Sequence, residues 1–355
     1  MQTFKSLGLM SGTSMDGIDA AIIITDGHKI QKTIAGKTFP YTKEFRSKIR
    51  DVISGKGEVA AVTYELTKLH ANAVEALLAA AGEDKNSIDF IGFHGHTIDH
   101  RPHDGVTIQI GDGKLLSELT GIKVVNDFRT NDVKEGGQGA PLVPVFHQAL
   151  ISEMDCPVAI VNIGGVANVT WIGKNEGDLL AFDTGPGNAL LDDWVLSKTG
   201  KHFDDGGKLA KSGKIDEILL AKFMQDSYFK KTPPKSLDRN HFAGIPANYK
   251  ISAEDGAATL AAFTAKSIAA SEKFFPQAVK KWLIAGGGRH NAAIMDFLKI
   301  FLEAPVKDID SIGFNGDMLE AEAFAFLAVR TILGLPISFP GTTGVKQPLT
   351  GGVVC

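Results

Sequence analysis

Two glycine-rich stretches carry carboxylates that could take part in phosphate chemistry. The first, SGTSMDGID, lies near the amino terminus between two apolar runs and contains Thr13, Ser14 and Asp16. Backbone N–H groups in a tight turn can bind an anion, whereas a carboxylate such as Asp16 reaches a phosphate only through a metal ion. The stretch lacks the lysine of a Walker A loop, and a strand rather than a helix follows it, unlike a dinucleotide fingerprint. A plain hairpin turn explains the same composition, so the residue types leave both interpretations open.

The second stretch, FDTGPGN, ends a predicted strand and opens a predicted helix. Asp183 stands at the strand end, where an acid would point into any cleft of the fold, and the glycines permit close approach of a ligand to the backbone. The start of the helix also favours negative charge. Capping of the helix accounts equally well for an aspartate at this place. A third turn, AGGGRHN, could hold a flat ligand or be a tight strand-to-helix connection.

Histidines, an arginine and a glutamate complete the candidate side chains. His94 and His96 lie two residues apart, so they are expected on one face of a strand, as in some metal-dependent hydrolases, although a polar substrate wall is the better explanation. Arg129 follows a predicted buried strand and is suited to bidentate capture of a carboxylate or phosphate, or to a salt bridge between domains. Glu320 follows Asp317 at the spacing of a capping box, which favours a structural role.

Apolar runs separated by glycine turns predict an α/β protein that positions these residues. A length of 355 residues favours two domains, which we place at 1–150 and 151–355. Each half contains an apolar strand, a small turn and a second apolar strand: FKSLGLM and AAIIITD in the first, PVAIVNIGG and ANVTWIG in the second. Two such halves predict a cleft with one glycine turn from each side. GDMLEAEAFAFLAVRTILG predicts a final amphipathic helix that could pack back on the first domain.

Composition excludes several classes of protein. A formal net charge of −4, without any basic tail, argues against nucleic acid or an anionic membrane as the partner. The two cysteines, Cys156 and Cys355, are too few for a disulfide framework or a four-thiolate metal site. The amino terminus does not read as a signal peptide, and no apolar stretch has the length of a membrane span. These observations predict a cytoplasmic protein.

Taken in order along the chain, these stretches and others resemble the anhydro-N-acetylmuramic acid kinases. The shared stretches cover nearly the whole chain and include MSGTSMDGIDAA, FHGHT, TGIKVVNDFR, GGQGAPLVPVFH, VNIGGVANVT, FDTGPGNALLDDW, AGGGRHN and EAEAFAFLA. The resemblance implies a two-domain ATPase fold of the actin, Hsp70 and hexokinase type, which is ribonuclease H-like, with an interdomain cleft. It also implies an ATP- and Mg²⁺-dependent kinase that forms a homodimer. That kinase would hydrolytically open the 1,6-anhydro ring of anhydro-N-acetylmuramic acid and phosphorylate O6 during peptidoglycan recycling.

The same resemblance assigns roles to residues at matching positions. Asp183 matches the catalytic aspartate, and Glu320 matches a glutamate near the substrate, which replaces the structural interpretation of that residue. Asp16 is expected to contact Mg²⁺, directly or through water. ATP is expected at Gly12, Thr13, Ser14, Met15, Asp16, Gly17, Ile18, Asp19, Asn162, Gly164, Gly165, Gly286, Gly287, Gly288 and Asn291. The sugar is expected at His94, Thr97, Arg129, Gly185 and Asn188.

In the implied mechanism Asp183 accepts a proton from water attacking C1, with the amides of Thr184 and Gly185 as candidate donors to its carboxylate. Two stretches depart from the family pattern: HGHT, where many members read HGQT, and PKSLDRN, where many read PKSTGRE. Three alternatives remain. They are a kinase of another 1,6-anhydrosugar such as levoglucosan, a metal-dependent hydrolase built on His94 and His96, and a non-catalytic nucleotide sensor of the same fold.

Overall fold

The computed structural model describes residues 2–242, 244 and 249–355, which divide into two compact units, Met1–Glu153 with Met318–Cys355 and Met154–Asp317. The strands are β1 (Phe4–Ser11), β2 (Gly17–Thr25), β3 (Ile30–Pro40), β4 (Phe90–Arg101), β5 (Val106–Ile110), β6 (Val124–Asn126), β7 (Val158–Ile163), β8 (Val166–Ile172), β9 (Leu179–Pro186), β10 (Lys281–Ala285), β11 (Val306–Asp308) and β12 (Val353–Val354). The helices are α1 (Lys43–Ile53), α2 (Val59–Ala81), α3 (Gly113–Thr120), α4 (Thr130–Lys134), α5 (Pro144–Leu150), α6 (Ala189–Thr199), α7 (Lys208–Ser212), α8 (Glu217–Phe223), α9 (Ala253–Ala269), α10 (Ala292–Phe301), α11 (Leu319–Ile332) and α12 (Pro340–Thr343). Among the residues described, no helix combines the length and the apolar character that a membrane span requires.

The first unit is built on one sheet with strand order β12-β6-β4-β1-β2-β3, and β5 pairs with β4. β1 runs antiparallel to β2 and parallel to β4, so the carboxyl ends of β1 and β4 lie side by side. Alternate side chains of these strands, such as Leu7, Leu9 and Phe93, form one apolar cluster with Leu66 and Val74 of α2. Residues that follow β1 and β4 are therefore brought to one edge of the sheet.

The opposite face of this sheet is covered by α11, which comes from the end of the chain. Gly8 and Gly92 lie beneath it: a Cβ on Gly8 would stand 1.8 Å from the carbonyl oxygen of Ala321, and one on Gly92 would stand 1.9 Å from that of Phe324. These glycines let the helix backbone lie directly on β1 and β4. Residues Met318–Cys355, which the sequence placed in the second domain, consequently group with the first unit, where β12 also pairs with β6.

The second unit contains a 5-stranded sheet of order β11-β10-β7-β8-β9. β7, β8 and β9 are antiparallel neighbours, whereas β10 runs parallel to β7. Trp194, Phe263 and Trp282 belong to its core, in which α9 is buried over nearly all of its length. Ala285, the last residue of β10, pairs with Asn162 near the end of β7, so the glycine turns that follow these two strands are neighbours.

Candidate functional site

The first glycine turn connects β1 to β2 and is shorter than the sequence predicts. β1 continues to Ser11 and β2 occupies Gly17–Thr25, so the last three residues of the predicted turn are strand residues. Tyr41 holds both ends of the turn: its backbone N–H donates to the Asp16 carbonyl oxygen (3.0 Å), and its hydroxyl donates to Ser11 Oγ (2.9 Å). The turn is thus a short loop of residues 12–16. Tyr41 holds it at both ends, through its hydroxyl at one end and its backbone N–H at the other.

The side chains of this loop suit a magnesium–phosphate complex. Thr13, Ser14 and Asp16 are exposed, and Met15 has a φ of 58°, a left-handed conformation that is uncommon outside glycine. Mg²⁺ in nucleotide sites is held by one or two carboxylates together with phosphate oxygens and water. Residues 2–242, 244 and 249–355 contain no group of three or more side chains that could hold a metal ion. The exposed hydroxyls and carboxylate of this loop are groups of the kind that contact a metal–phosphate complex.

β4 carries the two neighbouring histidines, and a bulge turns them to opposite faces of the sheet. The register between β1 and β4 shifts by one residue before Ser11, and Gly95 has a φ of 73°. The ring of His94 lies 4.6 Å from that of Phe324 in α11, whereas His96 Nδ1 lies 2.9 Å from Ser11 Oγ on the other face. The prediction that both share one face is wrong, because the extra residue inverts the alternation of the strand. The hydrolase alternative thereby loses its pair of ligands.

Arg129, His94 and Glu320 form a polar cluster in the first unit. Arg129 Nε donates to His94 Nε2 (3.0 Å), and its Nη1 donates to the Gly139 carbonyl oxygen (2.7 Å). Burial lowers the pKa of His94 well below its ordinary value, which keeps the imidazole neutral and able to accept this bond. Burial also raises the pKa of Glu320; the charge of Arg129 opposes that rise, and the charge of Asp19 adds to it. Four residues predicted for the site are therefore close enough to influence one another.

Glu320 lies in the first turn of α11, but the predicted capping box is absent. The helix is preceded by Met318, whose side chain makes no capping hydrogen bond. Asp317 instead accepts a hydrogen bond from Arg289 Nη1 (2.7 Å), so its carboxylate is not directed at the helix. The predicted capping box is wrong, because Asp317, the acid that it required, is bound by Arg289 instead. Glu320 is left to interact with Arg129.

A pocket of about 210 Å³ adjoins this cluster. It is lined by residues within β4, within or directly after β5, and at or after the end of β6, namely Phe93, His94, Gly95, Thr107, Ile108, Gln109, Gly111, Asn126, Asp127 and Thr130. Asp127 has a φ of 53°, and Thr97 Oγ1 accepts a hydrogen bond from Gln109 Nε2 (3.2 Å). A mostly polar lining suits a ligand rich in hydroxyl or amide groups. Gln109, Asn126 and Asp127 were not predicted as site residues, although polar residues at or just after the end of a buried strand, as Asn126 and Asp127 are, were a usable signal.

Asp183 lies in β9 of the second unit and is held by residues that come later in the chain. Its carbonyl oxygen accepts a hydrogen bond from the Tyr228 hydroxyl (2.6 Å), and its N–H donates to the Lys235 carbonyl oxygen (3.1 Å). The Leu237 N–H donates to Asp183 Oδ2 (2.7 Å). Burial raises the pKa of Asp183 to about 6, while the Leu237 N–H and the charge of Lys235 lower it. The carboxylate is thus mostly ionised at neutral pH and has a pKa close to it.

The donor to Asp183 comes from the stretch in which the sequence departs from the family pattern. Leu237 stands where many members have threonine, but the contact uses its backbone N–H, which either residue supplies. The expected donors, the amides of Thr184 and Gly185, are not the ones observed, since both residues continue β9 beside β8. Gly185 is buried, and a Cβ there would lie 2.5 Å from Ser267 Oγ, so this glycine permits close packing of β9 on α9.

The predicted nucleotide-binding turns of the second unit lie together at one edge of its sheet. The turn at residues 164–165 joins β7 to β8, and Asn162 is the second-last residue of β7. A Cβ on Gly286 would stand 2.2 Å from Asn162 Oδ1, and one on Gly288 would stand 3.1 Å from Asn188 Oδ1. Four predicted segments therefore meet here, and the glycines after β10 leave room for the two asparagine side chains.

Some polar groups at this edge are satisfied within the protein. The N–H groups of Gly187 and Asn188, at the start of α6, donate to the carbonyl oxygens of Gly165 (3.0 Å) and Gly164 (2.7 Å). Asn291 Oδ1 accepts from two amides in the first turn of α10 (3.0 and 3.2 Å). The amides of Gly187 and Asn188 are consequently not available to an anion, and Asn291 caps α10.

The chain is similar to proteins of known name over nearly its whole length. A family model described as AnmK, Anhydro-N-acetylmuramic acid kinase, matches residues 4–355. The anhydro-N-acetylmuramic acid kinase of Paramagnetospirillum magneticum is 51% identical over 349 residues, covering 98% of each chain. That of Rhizorhabdus wittichii is 48% identical over 362 residues, covering 99% of each. Among solved structures, component A of (R)-2-hydroxyglutaryl-CoA dehydratase from Acidaminococcus fermentans has a TM-score of 0.50 at 13% identity, covering 93% of this chain and 99% of that one, a likeness of fold alone.

Proposed function

Because the chain belongs to the anhydro-N-acetylmuramic acid kinase family, we propose that it uses ATP and water to convert anhydro-N-acetylmuramic acid to N-acetylmuramic acid 6-phosphate. The α/β fold of the actin, Hsp70 and hexokinase ATPases, predicted from the sequence, is confirmed. The observation that carries the proposal is Asp183, a carboxylate with a raised pKa of about 6 in the most distinctive shared stretch. A base with a pKa near the working pH is effective in proton transfer.

The reaction needs one proton acceptor in the protein. Water attacks C1 from the face opposite O6, and Asp183 takes the proton that this water loses. The bond between C1 and O6 breaks, and the released O6 attacks the γ-phosphorus of ATP in line, with ADP as the leaving group. A glycosidase would require a second carboxyl group to protonate the departing oxygen, whereas here the phosphoryl group takes the place of that proton. The configuration at C1 is therefore inverted.

The remaining site residues are assigned by their places in the two units. In the first unit, Arg129, His94, Glu320 and Thr97 with the adjoining pocket are proposed to contact the sugar. In the second, Asn162, the turn at residues 164–165 and the glycines at 286–288 are proposed to contact the nucleotide. Mg²⁺, when bound, offsets the charge on the transferring phosphoryl group, and Asp16 would hold it beside the hydroxyls of Thr13 and Ser14. The homodimer and the cytoplasmic location stay predictions.

Incubation with ATP, Mg²⁺ and anhydro-N-acetylmuramic acid in ¹⁸O-labelled water tests this chemistry. We expect the label at C1 of the product and not in its phosphate, because water attacks carbon and O6 attacks phosphorus. In Asp183→Asn, turnover should fall by several orders of magnitude while ATP binding, measured by calorimetry, persists. Mass spectrometry and NMR of the product locate the label.

Asp193→Asn is the matched control, because Asp193 is an exposed acid in the same unit. It should turn over substrate at the rate of the unmodified protein. Label in the phosphate, or normal turnover in Asp183→Asn, would contradict the proposal. A panel of 1,6-anhydrosugars that includes levoglucosan tests the substrate: preference for levoglucosan would leave the reaction intact and change its substrate.

A further inference from the structure

Lys235 is held in an aromatic surrounding immediately beside Asp183. Its Nζ lies 4.5 Å from the ring centroid of Tyr228, 4.7 Å from that of Phe274 and 5.6 Å from that of Phe182. The same ammonium donates a hydrogen bond to the Tyr228 carbonyl oxygen (3.3 Å). Attraction between a cation and aromatic faces restricts the ammonium to this place more than a solvated lysine would be restricted.

The segment that contains Lys235 is also tied to Asp183 through its backbone. The Asp183 N–H donates to the Lys235 carbonyl oxygen, and the Leu237 N–H donates to Asp183 Oδ2. Tyr228, which carries one ring of the lysine's surroundings, donates its hydroxyl to the Asp183 carbonyl oxygen. The lysine and the aspartate are therefore positioned by one set of contacts, and a displacement of either would disturb both.

Three charged side chains act on this lysine: those of Lys273 and Lys231 are positive, and that of Asp183 is negative. Burial, together with the charges of Lys273 and Lys231, lowers the pKa of Lys235 to about 8, and the charge of Asp183 opposes this shift. Lys273 Nζ donates to the Phe229 carbonyl oxygen (2.8 Å), and Lys231 Nζ lies 5.9 Å from the ring centroid of Tyr228. At neutral pH the ammonium is therefore charged for the most part, and Asp183 is the carboxylate on which that charge acts.

We propose that Lys235 is a positioning residue for the reaction, holding Asp183 in place and favouring the ionised form of its carboxylate. This inference rests on the proposed role of Asp183 as the base. The ammonium's hydrogen bond goes to a backbone carbonyl, so its action on the carboxylate is electrostatic. The backbone of residues 235–237 holds Asp183 in position through the hydrogen bonds of Lys235 and Leu237. The cation thus opposes the effect of burial, which disfavours the ionised carboxylate of Asp183.

The pH dependence of kcat/KM in Lys235→Met and Lys235→Arg tests the electrostatic part. In the unmodified protein the activity should fall below a pH of about 6, where Asp183 becomes protonated. Lys235→Met keeps an apolar side chain against the aromatic rings but removes the positive charge. The acid limb of the profile, where activity falls at low pH, should therefore move up by about one pH unit. Lys235→Arg keeps the charge and should retain the original limb. In Lys235→Met, kcat should approach its normal value again above the displaced limb.

Lys230→Met is the matched control, because Lys230 is an exposed lysine of the neighbouring 3₁₀ turn at Ser227–Lys230. It should leave the pH profile unchanged. A loss of activity in Lys235→Met that is equal at every pH would indicate a structural role only and would overturn the proposal. An unmoved acid limb in that variant would also overturn it.

A ¹³C NMR titration of the Asp183 carboxyl group, assigned with Asp183→Asn, separates failure of this inference from failure of the proposed function. A higher pKa of Asp183 in Lys235→Met than in Lys235→Arg supports the electrostatic effect, whatever the activity of Asp183→Asn. Retained turnover in Asp183→Asn would contradict the proposed function alone. An unchanged pKa with an inactive Asp183→Asn would contradict this inference alone. Should Lys235→Met fail to fold, Lys235→Gln replaces it in both measurements, with the same expected shifts.

Discussion

Glu320 and Glu322 are two residues apart in α11, yet their surroundings differ. Glu320 lies near the positive charge of Arg129, which opposes the effect of burial on its pKa. Glu322 is 1% exposed, and neither of its carboxylate oxygens has a hydrogen-bond partner within the described part of the chain. Burial raises its pKa to about 7, and the nearby Thr33 hydroxyl offsets only part of that rise. Glu320 therefore belongs to the polar cluster, whereas Glu322 destabilises the folded protein when it is ionised.

Replacing Glu322 by glutamine should stabilise the protein increasingly as pH rises. The folded protein binds the proton with a pKa of about 7, whereas the unfolded chain has the ordinary glutamate pKa of 4.5. The contribution of this carboxyl group is fully present below pH 4.5 and is lost as pH rises through 7. Above that range Glu322→Gln should gain on the order of 3 kcal/mol in free energy of unfolding. Denaturant titrations at pH 5 and pH 8 measure the difference.

Glu118→Gln provides the comparison, because Glu118 is exposed in α3 and shows no such burial. Its effect on the free energy of unfolding should be small at both pH values. A stability gain in Glu322→Gln that does not change with pH would count against a proton-linked cause.

The contact between α11 and the first sheet depends on the backbone of two strands. Gly8 and Gly92 leave no room for a side chain beneath the helix, and the atoms they face belong to its backbone. Backbone atoms cannot move aside as a flexible side chain can, so the whole helix would have to shift. This helix carries Glu320, and its Phe324 packs on His94 and Phe128. The position of the polar cluster is thus tied to the fit of one helix.

Gly92→Ala should destabilise the protein by about 3 kcal/mol or more, because the new Cβ would overlap the carbonyl oxygen of Phe324. Thermal and denaturant unfolding measure the loss. Gly12→Ala is the control, since the nearest atom to a Cβ there would be Ser14 Oγ at 3.7 Å, an ordinary contact distance. Equal stability in the two variants would show that α11 tolerates displacement.

Across the whole molecule, each unit has an apolar core of its own, but the first unit is assembled from both ends of the chain. Residues Met1–Glu153 need Met318–Cys355 to cover one face of their sheet and to supply β12. The second unit, Met154–Asp317, is continuous in sequence. The first unit therefore depends on contacts between distant residues, such as the bond from Ser6 Oγ to the Ala325 carbonyl oxygen (2.8 Å).

A chain that ends at residue 317 should lose protection in its first 153 residues and keep it in the continuous unit. Removal of α11 exposes an apolar sheet face, which leaves that unit without a complete core. Hydrogen exchange with mass spectrometry and limited proteolysis report protection segment by segment. A chain that ends at residue 352 lacks only β12 and should remain protected apart from β6. Unchanged protection in the shorter chain would mean that the first unit folds without its final helix.

Local sequence patterns were sufficient for the α/β class, the positions of the glycine turns and the family. Alternating and continuous apolar runs around SGTSMDGID, VNIGG and FDTGPGN predict strands joined by turns, because these patterns reflect interactions between residues close in the chain. Arg129 was also found in this way, since a charged residue shortly after a buried strand is conspicuous, whereas Glu320 entered the site only through the family resemblance. The structure brings His94, Arg129, Asp19 and Glu320 together, as the resemblance implied for a site.

The tertiary structure alone decided how the side chains of those segments are used. The bulge at Gly95 separates His94 from His96, and a bulge depends on how two strands pair. The donor to Asp183 is Leu237, 54 residues later, and the acid expected to cap α11 is held by Arg289. Such partners are selected by the packing of elements distant in sequence, where burial and hydrogen bonding must be satisfied together. Sequence therefore determined which groups could do the chemistry, and the fold determined their neighbours and hence their charge.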